Sequence, residues 1–420
     1  MPVLNRWWRA NNTADFSAAP TAGAGFDTDL SGISHSRATD TATTTPLSEI
    51  ALLFLKLGTT AFGGPAAHIA MMNEEVVRRR HWLSEQEFLD YLSAVNFIPG
   101  PNSTEMAIHI GHRRAGWPGL IVAGACFIFP AAILVGILAW AYVRWGALPQ
   151  TAGLLYGVKP VVIAVVLQAL WKLGRSAVKT TWLAVVTAAS VALAAIGVNE
   201  LLVLVTGGVL GLAGGWSGLR GQRCLLTVPG FKTAFSVAAV VATGASVGLW
   251  PIFLVFAKIG SVLFGSGYVL LAFLRADLVE RYHWLTQQQL LDAVAVGQVT
   301  PGPVFTTATF VGYILHGPSG AIAATVGIFL PAFLFVAISA PLMPRLRASH
   351  MAGAVLDGIN VASLALMALV TWQLARSALV DWFTVLLGLV SVVVLLRFRR
   401  LNSAWLVLGA GLLGIAKYGF

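Results

Sequence analysis

Long apolar runs separated by short polar or basic stretches fill most of the chain from residue 47 onward. The clearest ones are near the roughly 20 residues that an α-helix needs to cross a hydrocarbon core. They cover residues 117–143, 151–173, 180–198, 200–218, 234–249, 317–342, 351–374, 380–396 and 401–418. This pattern predicts an all-α integral membrane protein with about nine full spans.

Four further apolar segments differ, because Gly or Pro interrupts them near their middles and they carry polar residues. They are residues 48–76, 85–114, 250–275 and 287–315. Broken backbone at membrane depth is tolerated only where protein or a water-filled cavity surrounds it. We therefore expect re-entrant hairpins with the break at the tip, although counting these segments as spans gives a total of 10 to 13.

The chain contains an internal duplication. FLKLGTTAFGGP at residues 54–65 returns 202 positions later as FAKIGSVLFGSG. At the same offset, HWLSEQEFLD at 81–90 matches HWLTQQQLLD, and IPGP at 98–101 matches TPGP. Because the shared residues include His, Trp, Asp, Lys and Pro in the same order, chance similarity of apolar sequence is a poor explanation. We interpret the protein as two homologous repeats.

The duplication divides the chain into four parts. Residues 1–46 lack a hydrophobic period and are predicted to be a disordered tail. Residues 47–218 are predicted to form the first repeat, 219–249 a basic linker with one connecting span, and 250–420 the second repeat.

Charge and composition exclude a soluble globular protein and orient the repeats. Only 10% of residues are charged and 57% are hydrophobic, and the net charge of +10 is concentrated in short loops. If the interrupted segments are re-entrant hairpins, all strongly basic loops, including RRRH at 78–81 and HRR at 112–114, lie on the cytoplasmic side. The extra span 234–249 then makes the second repeat begin outside. We therefore predict inverted repeats, an arrangement common in transporters.

Each repeat carries a helix start followed by a forced break. Ser84 with Glu87, and Thr286 with Gln289, fit capping boxes, so a helix is predicted after each one. Each helix then meets Pro-Gly-Pro, which interrupts it and leaves main-chain groups unpaired.

A helix N-terminus bearing polar side chains favours an oxyanion. We expect such a site at the two Pro-Gly-Pro breaks. In the first repeat it comprises Asn96, Pro99, Gly100, Pro101, Asn102, Ser103 and Thr104. In the second it comprises Gln298, Pro301, Gly302, Pro303 and Thr306.

A second break lies earlier in each repeat. It contains Gly63, Gly64 and Pro65 in the first repeat, and Gly265 and Ser266 in the second. Lys56 and Lys258 precede these breaks within apolar sequence. An ammonium at the bilayer centre costs at least about 2.5 kcal/mol, so we expect both lysines to face a cavity and attract an anion, with snorkelling to the surface as the alternative.

One acidic residue is a candidate for proton coupling. Glu105 lies just beyond the first Pro-Gly-Pro and has no acidic counterpart in the second repeat. Asp90 and Asp292 occupy corresponding positions in the capped helices, where either could pair with a basic residue.

In these motifs the chain resembles the chromate ion transporter family, in its long form with two homologous halves. The resemblance rests on Lys56-Leu57-Gly58, Phe62-Gly63-Gly64-Pro65, Trp82-Leu83, Pro99-Gly100-Pro101 and, in the second half, Lys258, Phe264-Gly265, Trp284-Leu285 and Pro301-Gly302-Pro303. It implies a multi-pass protein of the plasma or inner membrane, with antiparallel halves, that expels chromate and confers chromate resistance. Ser266-Gly267 depart from the pattern of Gly64-Pro65.

Other functions remain open at the level of sequence. The substrate is expected to be chromate or the similar sulfate dianion, and a transporter of another oxyanion or an anion channel has the same parts. A membrane-bound reductase is disfavoured, because we find no dinucleotide-binding loop or paired haem histidines and only two cysteines. We expect no cofactor, no metal and no nucleic acid; the lipid bilayer is a partner, and a homodimer is possible.

Overall fold

The computed structural model describes residues 45–62, 64–146, 148–217, 247–264, 267–339, 350–398 and 403–418. The predicted tail up to residue 44 and linker residues 219–246 lie outside the described residues, as do Gly63, Gly265 and Ser266. The described chain is built from α-helices joined by short turns.

The first repeat contains seven α-helices. They are α1 (Leu47–Thr60), α2 (Pro65–Asn73), α3 (Glu85–Val95), α4 (Asn102–Trp145), α5 (Pro149–Ala177), α6 (Thr181–Ala195) and α7 (Glu200–Ser217). A π-helical turn, Glu74–Arg79, extends α2.

The described part of the second repeat has seven corresponding helices in the same order. They are α8 (Leu249–Val262), α9 (Leu270–Leu274), α10 (Gln287–Val299), α11 (Thr307–Ser339), α12 (His350–Ala378), α13 (Trp382–Arg397) and α14 (Ser403–Tyr418). A π-helical turn again follows the second short helix, at Arg275–Arg281, and a 3-10 turn, Val304–Thr306, precedes α11. His81 and His283 share the same uncommon φ of 52°, so the duplication extends to backbone detail.

The interrupted segments of the first repeat form hairpins, as predicted. Arg80 Nη1 lies 2.7 Å from Glu49 Oε1, so the start of α1 meets the end of the turn after α2. Arg113 Nη2 lies 3.7 Å from Glu87 Oε1, which joins the start of α3 to the first arm of α4. With 14 residues, α1 is about 21 Å long at 1.5 Å per residue, too short to cross a core of about 30 Å.

Both capping boxes are confirmed. Ser84 accepts a hydrogen bond from the Glu87 N–H while the Glu87 carboxylate accepts one from the Ser84 N–H. Thr286 and Gln289 repeat this exchange. These caps fix where the second hairpin of each repeat begins.

The longest helix, α4, is two helices joined by a kink. Its 44 residues would measure about 66 Å if straight, twice the hydrocarbon core. Ala115 and Gly116 leave helical geometry, and Gly111 packs against the Gly119 carbonyl, so the two arms fold back on each other. α11 kinks in the same way at His316 and Gly317.

The two repeats are inverted and pack reciprocally. Helix α5 packs on α13 and α14 of the other repeat, while its counterpart α12 packs on α6 and α7. Lys179 Nζ, just after the end of α5, lies 3.0 Å from Asp357 Oδ1 near the start of α12. Since these packed counterparts run in opposite directions, the repeats are related by an axis in the membrane plane.

Four described helices are long and apolar enough to cross a membrane, judged by length and composition. They comprise residues 102–145, 149–177, 304–339 and 351–378. The predicted spans 180–198, 200–218, 380–396 and 401–418 appear as the shorter helices α6, α7, α13 and α14, of 15 to 18 residues. The predicted span 234–249 falls almost wholly outside the described residues.

Candidate functional site

Reciprocal hydrogen bonds bring the breaks of the two repeats together. The Gly100 N–H donates to the Leu263 carbonyl at 2.7 Å, and the Gly302 N–H donates to the Ala61 carbonyl at 3.0 Å. Each Pro-Gly-Pro thus contacts the end of the first hairpin arm of the opposite repeat. The interrupted elements of both repeats therefore meet at one place between them.

The sequence Pro-Gly-Pro explains this pairing. Proline has no N–H, so the central glycine supplies the only main-chain donor of the three residues. Gly100 and Gly302 have φ of 142° and 87°, a region that favours glycine. Their flanking prolines, Pro99, Pro101, Pro301 and Pro303, hold the chain extended before each new helix.

The new helix of the first repeat begins with polar, buried side chains. Ser103, Thr104 and Glu105 are 2%, 0% and 0% exposed. Ser103 Oγ lies 3.2 Å from His68 Nδ1, and the other ring nitrogen of His68 lies 3.0 Å from the Ala61 carbonyl. The histidine thus ties the polar helix start to the neighbouring break.

Several polar atoms at this helix start are buried without partners. Thr104 Oγ1, both carboxyl oxygens of Glu105 and Nε2 of His109 find no hydrogen-bond partner among the described residues. Native proteins satisfy nearly all such groups, so these orphans mark a place where a ligand, water or proton belongs.

The corresponding helix start of the second repeat is different. It begins with Val304 and Phe305, and the hydroxyls of Thr306 and Thr307 donate to Pro303 and Val304 carbonyls at 2.8 Å each. The two helix starts therefore differ in the polar groups that they leave free, and oxyanion binding at either one stays a prediction. The hydroxyl groups of both threonines thus donate within their own turn, so they are not free to bind a ligand.

Amide side chains lie beside both breaks. Asn102 Nδ2 donates to Asn96 Oδ1 at 2.8 Å, which links the end of α3 to the start of α4. In the second repeat, Gln298 Nε2 is buried without a partner among the described residues.

The two lysines are ion-paired. Lys56 Nζ lies 2.7 Å from Glu75 Oε1, and Lys258 Nζ lies 2.5 Å from Asp277 Oδ2. A carboxylate of the returning arm offsets the charge of each ammonium group. The expectation that both lysines attract an anion stays a prediction. Arg281 also contacts Asp277, at 3.0 Å, so that cluster of three side chains keeps one net positive charge.

The earlier break is described only in part. Gly64 has a φ of 76° and caps α2, whose first residue is Pro65, the position at which proline fits a helix best. The second-repeat counterparts, Gly265 and Ser266, and the neighbouring Gly63 lie outside the described residues.

A family model described as Chromate transporter matches the chain twice, over residues 48–212 and 250–415. The chain belongs to this family. No solved structure matches it.

Full-length relatives carry the same description. The chain is 32% identical to a chromate transport protein of Cupriavidus metallidurans, over 93% of this chain and 97% of the relative. It is 33% identical to a chromate transport protein of Pseudomonas aeruginosa, over 90% and 95%. A probable chromate transport protein of Synechococcus elongatus is 31% identical over 83% and 89%. The protein is thus a multi-pass membrane protein of a transporter family.

Three polar residues of this chromate transporter family member were not predicted from the sequence: His68 and Lys159, which are buried, and Tyr142, which is partly buried. His68 lies one turn after the first break, and Lys159 and Tyr142 contact Asp292 from α5 and α4. Lys159 could have been found, since it lies well inside the apolar run 151–173, whereas Lys172 is at its end, and such charges are rare in spans. The pairing of Lys159 with Asp292 could not have been predicted from sequence, because Asp292 lies in the other repeat.

Proposed function

We propose that this protein exports chromate from the cytoplasm by alternating access between its two repeats, and so confers chromate resistance. The observation that carries the proposal is the reciprocal pairing of Gly100 with Leu263 and of Gly302 with Ala61, which joins broken helices at the repeat interface. Transporters of inverted repeats bind substrate at such an interface. The names of the relatives support chromate as the substrate.

The first-repeat helix start is the proposed binding site. Chromate and sulfate are tetrahedral dianions, which suit free main-chain N–H groups at a positive helix end. The hydroxyls of Ser103 and Thr104 and the amide of Asn102 add donors there. The second repeat contributes the scaffold through Gly302, with fewer donors of its own.

Glu105 is the proposed proton carrier. Its carboxyl group is fully buried and unpaired among the described residues, so the neutral acid is far less costly there than the carboxylate. A carboxylate would also repel a dianion at the neighbouring helix start. Loss and gain of one proton at Glu105 would therefore alternate with anion binding and release.

Membrane energetics favour outward movement of a dianion. Two negative charges leaving a negative interior gain about 4.6 kcal/mol per 100 mV, twice the single-charge value. That energy supports a gradient of roughly a thousandfold. Coupling to a proton or to a counter-anion would modify this gradient.

Transport into inverted membrane vesicles tests the proposal. Vesicles containing the protein should accumulate chromate in a saturable manner when their interior is made positive, and vesicles without it should not. Competition by sulfate, molybdate and phosphate would define the class of oxyanion. Absence of protein-dependent chromate uptake, with sulfate uptake intact, would replace chromate by sulfate as the substrate.

A further inference from the structure

Corresponding helices α3 and α10 have different surroundings. Helix α3 packs mainly on α4, and one of its faces, with Gln86, Leu89, Ser93 and Asn96, is exposed. Helix α10 packs on α5, α11, α12 and α14, and Leu291 and Ala295, the counterparts of Leu89 and Ser93, are buried. Two copies of one helix thus occupy an open and a closed position.

A cluster of three polar side chains, two buried and one partly buried, holds α10 in its closed position. Lys159 Nζ lies 2.8 Å from Asp292 Oδ1, and the Tyr142 hydroxyl donates to Asp292 Oδ2 at 2.9 Å. The Lys159 and Asp292 side chains are only 7% and 3% exposed. Ionised groups within a membrane protein mark functional positions by default, because burying them is expensive.

The cluster lies between the helix breaks and one end of the molecule. Asp292 stands between the start of α10 at Gln287 and the break at Pro301. Lys159 is about 15 Å along α5 from Pro149, in the half of the helix away from the basic residues Lys172 and Arg175. The positive-inside rule places that end outside the cell.

The opposite side of the breaks presents polar residues instead. Gln86 and Ser93 are exposed on α3, the helix that starts beside the arginine-rich turn at residues 78–80 and ends at Asn96. Exposed polar side chains along one helix face are typical of a water-lined path and unsuited to lipid.

We propose that Lys159, Asp292 and Tyr142 form the outer gate of the transporter, which closes the oxyanion site to the outside while α3 leaves it open to the cytoplasm. The inference rests on the proposed transport function. In the outward-facing state the helices exchange positions: α10 leaves α5, and α3 packs on α12.

The two closed states are unequal. In the second repeat, Asn360 stands where the first has Lys159, so closure of α3 would place Asp90 near a neutral amide. Asp90 accepts a hydrogen bond from Gln86 at 3.3 Å in the present state. The ion pair therefore strengthens only the outer closure, and the resting protein faces the cytoplasm.

Cysteine accessibility tests the gate without requiring transport. In a background with Cys126→Ala and Cys224→Ala, single cysteines replace Ser93 and Ala295, which are counterparts on α3 and α10. A membrane-impermeant maleimide is applied to inverted vesicles for Ser93→Cys and to intact cells for Ala295→Cys. Without further change, the cysteine at 93 should react and the cysteine at 295 should be protected.

Asp292→Asn should reverse this pattern. Because it leaves Lys159 buried without its counter-ion, labelling at 295 should rise about tenfold or more while labelling at 93 falls. Tyr142→Phe, which removes one hydroxyl, should shift both positions in the same directions by a smaller factor. The matched control Asp90→Asn should leave position 295 protected.

Opposed changes are the decisive result, since a merely loosened fold would raise labelling at both positions. If neither Asp292→Asn nor Tyr142→Phe gives opposed changes, the gate assignment is wrong. A protein that moves no oxyanion in vesicles but shows the opposed changes would instead refute the proposed function and retain the gate.

Discussion

The two helices that follow the Pro-Gly-Pro breaks occupy corresponding positions in the repeats and differ in chemistry. One begins Asn102-Ser103-Thr104-Glu105 and buries polar atoms without partners; the other begins Val304-Phe305-Thr306-Thr307 and satisfies its hydroxyls locally. Both are preceded by a glycine of positive φ that donates to the opposite repeat. Duplication has kept the scaffold in both copies, whereas the polar side chains are concentrated in one.

The scaffold glycines offer the largest test of this comparison. A Cβ on Gly302 would lie 2.7 Å from Ala131 Cβ and 3.2 Å from the Gly58 carbonyl, neither of which can move freely. A Cβ on Gly100 would overlap only the Glu105 carboxyl group, a flexible side-chain end. Gly302→Ala should lower the free energy of unfolding by about 3 kcal/mol and Gly100→Ala by about 1 kcal/mol, as measured on purified protein in detergent. Equal losses of unfolding free energy in the two variants would mean that the positive φ, and not contact with neighbouring atoms, determines the cost of each substitution.

Substitution of the two ion-paired lysines should have the next largest effect. Lys258 and Asp277 are 24% and 3% exposed, whereas Lys56 and Glu75 are 52% and 10% exposed. Lys258→Met should cost about 2 kcal/mol of stability and Lys56→Met less than about 1 kcal/mol. Thermal unfolding of the single variants measures the difference. If chromate efflux is unchanged in the double variant, the lysines have no direct role in attracting the anion.

Substitution of Glu105 tests whether proton coupling depends on the first repeat alone. Glu105→Gln keeps the shape of the side chain but cannot release a proton, so efflux driven by a pH gradient should fall about tenfold or more. Thr307→Val, at the matching position of the second repeat, should stay within about twofold. Chromate flux at several pH gradients, with the membrane potential clamped, distinguishes them. An equal effect of both variants would contradict the asymmetry.

A matched threonine pair gives the smallest effect. Thr104 Oγ1 has no partner among the described residues, whereas Thr306 Oγ1 donates to Pro303. Thr104→Val should weaken oxyanion binding about fivefold without loss of stability, and Thr306→Val should cost about 1 kcal/mol of stability with little change in binding. Binding titrations and thermal unfolding on both variants measure these effects. The reverse outcome would move the binding site to the second repeat.

Local signals predicted the fold well. Capping boxes, apolar run lengths and Gly or Pro breaks act over a few residues, so Ser84, Thr286 and the two Pro-Gly-Pro motifs could be located from sequence. The candidate site was only partly predictable. The partners of Lys258 and of Lys159 come from segments that are distant in sequence, so they depend on the tertiary fold. Aligning the repeats by their shared motifs also draws attention away from Val304 and Phe305, which stand where the first repeat has polar residues.

The reciprocal hydrogen bonds also constrain biosynthesis. Gly100 cannot find its acceptor until Leu263 has been made, about 160 residues later, or roughly 10 to 30 s at ordinary rates of translation. During that interval the Gly100 N–H in the membrane is either unpaired or hydrogen-bonded to water. The first repeat therefore completes its fold only after the second has begun to insert, and the two halves mature together.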